Sequence, residues 1–93
     1  MNGGGLAFPI AKLSIKVNQS KKDMEVQIET DNYANVIRLD IPDSSMKYSD
    51  NFFSLIPKSS KTLLIEPRGK VKDLRGKRLI VNAFNSKTYQ IDL

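Results

Sequence analysis

Three stretches of this chain alternate apolar and polar residues one by one, and that period of two leaves little choice of local structure. Leu13, Ile15 and Val17 are separated by Ser14 and Lys16; Met24, Val26 and Ile28 by Glu25 and Gln27; Ile37, Leu39 and Ile41 by Arg38 and Asp40. A strand turns successive side chains to opposite faces, so each stretch reads as a strand with one buried and one wet face. The polar run 18–22 between the first two predicts a hairpin, Asp31-Asn32 breaks the second, and Pro42 stops the third.

Thr62 to Glu66, ended by Pro67 and Gly69, predicts a fourth strand. Leu79, Val81 and Ala83, or Ile80 on the other face, predict a fifth, and Tyr89, Ile91 and Leu93 a sixth, with Asn85-Ser86 as the turn between them. From Asp43 to Ser60 no period is visible, although Tyr48, Phe52, Phe53, Leu55 and Ile56 lie there, so this reads as a long loop anchored by its aromatic residues. No segment carries apolar residues at helical spacing over three turns, and only Lys70 to Arg75 suggests a single turn. Short strands with no helix between them imply an all-β fold, an antiparallel immunoglobulin/fibronectin-like β-sandwich of about six to seven strands. At 93 residues the chain holds one such domain, expected over residues 11–93. Residues 1–10, with their glycine run, read as a flexible linker or cloning remnant, which suggests a domain excised from a larger protein.

Composition narrows the chemistry. The chain has no cysteine and no histidine, so disulfides, thiol nucleophiles, cysteine metal sites and the usual neutral-pH base are all missing. Most of the ten carboxylates take outer strand positions, as Asp23, Glu25 and Glu29 do, and no facing pair of the kind a glycosidase needs stands out. Asp40, Asp43 and Asp50 flank one connection, but without regular ligand spacing they read as solvated rather than as a calcium site. No catalytic, cofactor or metal residue is assigned.

The formal charge of +5 is concentrated late in the chain, at Arg68, Lys70, Lys72, Arg75, Lys77 and Arg78. No aromatic residue interleaves with these cations, so the stacking platform of single-strand binders is lacking. The cluster reads instead as a solvated loop or an edge facing an acidic neighbouring domain. No nucleic-acid or membrane partner is expected, and the isolated domain is expected to be monomeric. Phe52 and Phe53 could stack on sugars, but their apolar surroundings favour a place in the core.

The segment Tyr48-Ser49-Asp50-Asn51-Phe52-Phe53-Ser54-Leu55-Ile56-Pro57 resembles a signature of the C-terminal immunoglobulin-like domain of β-mannosidases, in glycoside hydrolase family two. Lys61 to Ile65 resembles the Thr-aliphatic strand that follows it there, Tyr33 to Leu39 an upstream aromatic-Ala strand start, and Leu79 to Asn85 the penultimate strand. Ile56-Pro57-Lys58-Ser59-Ser60 departs from the Gly-Glu common in that family after the motif. The resemblance implies a non-catalytic accessory domain, packed on other domains of the same polypeptide and stabilising an enzyme whose catalytic glutamates lie elsewhere. A free-standing carbohydrate-binding module is the alternative. Asp50 and Asn51 would form a side-chain-stabilised turn delivering Phe52, Phe53 and Leu55 to the interior.

Overall fold

The computed structural model describes residues 8–20, 23–68 and 74–93. Eight strands follow in order: β1 (Leu13–Gln19), β2 (Met24–Thr30), β3 (Ala34–Asp40), β4 (Met46–Tyr48), β5 (Phe53–Leu55), β6 (Ser60–Pro67), β7 (Arg78–Asn82) and β8 (Tyr89–Asp92). They form two four-stranded sheets, β1-β2-β6-β4 and β5-β3-β7-β8, in which every pairing is antiparallel. The first order and the β3-β7-β8 part of the second match the two sheets of a constant-type immunoglobulin domain, with β5 added beside β3.

The alternating residues meet between the sheets. Met24, Val26, Ile28, Leu63 and Ile65 from one sheet face Ile37, Leu39, Leu79 and Val81 from the other, each at most 2% exposed. Burying a side chain of this size contributes about 1.5–3 kcal/mol, so this double row is the main source of stability. Beyond the sheets, two tyrosine hydroxyls bind them together. Tyr89 accepts the Leu13 N–H and Tyr48 accepts the Ile41 N–H, each at 3.0 Å.

The segment read as a loop, 43–60, contains β4 and β5. Each has three residues, too few to display a period, and each closes one edge of a sheet. The third strand starts earlier than its alternation suggests, because the register shifts between Ala34 and Ile37. One extra residue there lets Ala34 and Ile37 both face inward and leaves Val36 at φ 54°, a left-handed conformation costly for a β-branched side chain. The suggested helical turn at Lys70 to Arg75 falls largely outside the described residues; where the chain resumes, Arg75 and Gly76 form a turn, with Gly76 at φ 82°.

Residues 8–10, assigned from the sequence to a linker, lie against the sandwich. Asn85 is the centre of this contact. Its side-chain amide donates to the carbonyls of Pro9 (2.9 Å) and Tyr33 (2.6 Å), its Oδ1 accepts the Asn35 N–H (2.9 Å), and its carbonyl accepts the Ala11 N–H (2.8 Å). Phe8 packs on Tyr33 with ring centroids 5.0 Å apart.

Candidate interaction surface

The Ser-Asp-Asn-Phe-Phe segment carries the chain from β4 on one sheet to β5 on the other. Ser49 keeps hold of β6, exchanging N–H and Oγ contacts with the Leu64 main chain (2.8 and 2.9 Å). Asp50 accepts the Asn51 N–H (2.8 Å) and pairs with the Lys61 ammonium, which sits 4.9 Å from the centroid of the Phe53 ring. The hydrogen bond from Lys61, with that from Asn51, holds the Asp50 carboxyl below its ordinary range. Asn51 then grips β3 through the Leu39 main chain, and its Oδ1 also accepts the Phe52 N–H at 3.0 Å.

The apolar residues of this motif take different places, and Phe52 departs from the interior position expected of it. Leu55 is buried, opposite Ala34, and half-buried Phe53 stands opposite Ile37. Phe52 is not in the core: it lies at φ 56°, which turns the side chain outward and leaves it 65% exposed. Neighbouring residues entering a strand face opposite ways, so only one of the two phenylalanines can face inward.

Phe52 instead forms one wall of a cleft of about 210 Å³ on the outer face of the β5-β3-β7-β8 sheet. Phe84, 81% exposed, forms another, and Val36, Arg38, Asn82 and Ala83 complete it. Arg38 and Asn82 are cross-strand partners. The sequence reading passed over Arg38, Asn82 and Phe84, although the outward phase of β3 and β7 places Arg38 and Asn82 on the solvent side, with Phe84 next in that phase.

The basic cluster divides. Lys70 and Lys72 lie outside the described residues. Arg68 follows β6, its N–H bonded to the Ser45 carbonyl (3.0 Å), while the Arg78 guanidinium donates to Gln90 (3.2 Å). Gly76, Lys77 and Arg78 line a depression of about 200 Å³ with Pro42 and Asp43, and Arg75 is exposed beside it. The β3–β4 connection thus lies beside both Arg68 and the 75–78 turn, so these cations share one end of the sandwich.

A larger and more open depression, about 530 Å³, lies among Lys12, Glu29, Asp31 and Lys58. Asp31 is engaged in local structure there, accepting the N–H groups of Lys12 (2.7 Å) and Asn32 (2.6 Å). Those bonds, the one from Lys12 first, lower its pKa. Among the described residues no three potential metal ligands come together, and Asp50, one of the three acids considered for calcium, is paired with Lys61.

Compared with known families, residues 8–85 match the Ig-mannosidase family, described as an Ig-fold domain. The chain belongs to this family. No curated protein and no solved structure matches it at significant similarity. The matched span of this Ig-mannosidase domain runs from Phe8, packed on Tyr33, to Asn85, the residue that binds residues 9 and 11 to the sandwich. Within the Ig-mannosidase domain the Ser-Asp-Asn-Phe-Phe motif has a structural task, since Ser49, Asp50, Asn51 and Phe53 each bind a neighbouring strand. Phe52 is its outward-facing member.

Proposed function

We propose that this domain is a non-catalytic accessory module of a β-mannosidase-like glycoside hydrolase, packing on the catalytic parts of the same polypeptide and stabilising them. The observation that carries this reading is the family match over residues 8–85. The basic end of the sandwich supplies a docking edge, with Arg68, Arg75, Lys77 and Arg78 presented to an acidic neighbouring surface; Lys70 and Lys72 belong to the same stretch of sequence. Charges at the rim of such an interface steer and orient the contact more than they strengthen it, which suits a module held in place covalently.

The test is to isolate the native polypeptide that contains this sequence and assay it on an aryl β-D-mannoside. Hydrolysis is expected, and reversing the basic end with Arg68→Glu and Lys77→Glu should shorten the enzyme's thermal half-life while leaving the isolated domain's unfolding midpoint unchanged. A native polypeptide that cleaves no β-mannoside overturns the reading.

A further inference from the structure

We propose that the cleft between Phe52 and Phe84 is a glycosyl-binding subsite that takes a single pyranose ring of a β-mannoside. Four observations converge on it. Two phenylalanines, 65% and 81% exposed, line one small concavity, and exposed aromatic rings gathered at one place rather than scattered singly point to a ligand or partner. The C–H face of a pyranose is the apolar surface that an aromatic ring covers well.

Polar groups stand in the same wall. Arg38 and Asn82 lie side by side across β3 and β7, and their side chains make no hydrogen bond or ion pair among the described residues. A guanidinium offers only donors, and a carboxamide offers both donors and an acceptor, so the two can receive adjacent sugar hydroxyls. The volume, about 210 Å³, is below the usual range for drug-sized ligands and suits one ring rather than a chain. Finally, among the described residues two of the four non-glycine positions with positive φ, Val36 (54°) and Phe52 (56°), line the cleft, while Asp43 and Lys58 lie elsewhere. Backbone strain of this kind persists where the surrounding structure enforces it and is concentrated at binding sites.

The choice of mannoside rests on the family reading; the concave site and its sugar chemistry do not. The site therefore extends the accessory role to holding substrate as well as supporting the enzyme.

The experiment is a titration of the isotopically labelled chain with methyl β-D-mannopyranoside and with β-1,4-mannobiose, following backbone amide shifts. Saturable shifts confined to Val36, Arg38, Asn82 and Phe84 and their neighbours are expected, with dissociation constants in the millimolar range. Phe84→Ala and Arg38→Ala should each weaken binding tenfold or more without moving the unfolding midpoint. Absence of saturable shifts, shifts located elsewhere, or unaltered binding by Phe84→Ala would overturn the assignment. So would cleft amides that respond to the catalytic polypeptide but to neither sugar, which marks a protein-docking face. If the native polypeptide lacks mannosidase activity yet these sugars bind here, the subsite stands and only the accessory role fails.

Discussion

Asn51 pairs with Leu39 as a strand would: the Leu39 N–H donates to Asn51 Oδ1 at 2.8 Å and the Asn51 amide donates to the Leu39 carbonyl at 2.9 Å. One side chain therefore satisfies both main-chain groups of a core residue at a point where β5 has not yet begun. Leaving such groups unpaired costs about 1–3 kcal/mol. Asn51→Ala should lower stability by about 2 kcal/mol in urea melts, and Asn51→Asp, which retains the acceptor and loses the donor, should fall between it and the wild type. Equal stability of all three proteins would show that water replaces the side chain without cost.

The two phenylalanines of the motif should separate in the same assay. Half-buried Phe53 covers the edge of the core, so Phe53→Ala should cost about 2 kcal/mol, less than the full penalty for a buried ring. Phe52→Ala should change stability by no more than about 0.5 kcal/mol, as expected of an exposed position.

Relief of backbone strain is testable at Val36. A left-handed conformation costs an L-residue about 1–2 kcal/mol, and glycine almost nothing. Val36→Gly should raise the unfolding midpoint even though it deletes a side chain, whereas an exposed Val→Gly change at an extended strand position should lower it. A lower midpoint for Val36→Gly would mean that the side chain's packing outweighs the strain.

Acid should weaken the fold through Asp50 and Asp31. Both carboxyls have pKa values lowered from the ordinary 3.8, Asp50 chiefly by Lys61 and Asp31 chiefly by the Lys12 N–H. The unfolded chain then binds these protons more tightly than the folded one, so unfolding takes up protons in acid. The stabilisation is present above pH 3.8 and is lost as the pH falls through the lowered values. Asp50→Asn and Asp31→Asn should each make stability less sensitive to pH in this acid range, and the double variant should be the flattest. An unchanged acid limb in the double variant would place the pH dependence on other carboxylates.

Most of the sandwich was legible because its strands either repeat an inward face three times, counting Ala83 and Leu93 just past the ends of the five-residue β7 and the four-residue β8, or, as in β6, carry an apolar run closed by Pro67. This is how β1, β2, β3, β6, β7 and β8 appear in the sequence. With three residues each, β4 and β5 have at most two inward positions, and their pairing depends on partners distant in the chain. The error at Phe52 has a local cause. Its apolar neighbours suggested burial, but the turn set by Asp50 and Asn51 passes through a positive φ and reverses the side chain. Asn85 reads in the sequence only as a turn residue, because nothing in its vicinity reveals that its amide reaches back to Pro9 and Tyr33. The cleft was half legible: Arg38 and Asn82 sit at outward strand positions, but their meeting with Phe52 and Phe84 depends on the pairing of β3 with β7 and β5.

The bond from the Leu13 N–H to the Tyr89 hydroxyl, spanning 76 residues, also sets an order of events during synthesis. The β1–β2 hairpin leaves the ribosome before the rest of the domain, but the tyrosine that secures Leu13 is added only 76 residues after it. At usual elongation rates that is a wait of roughly 4 to 15 seconds. During it the opposing sheet is incomplete, with β3 and β5 made well before β7 and β8, and in this interval the nascent chain is most exposed to chaperones and to wrong partners.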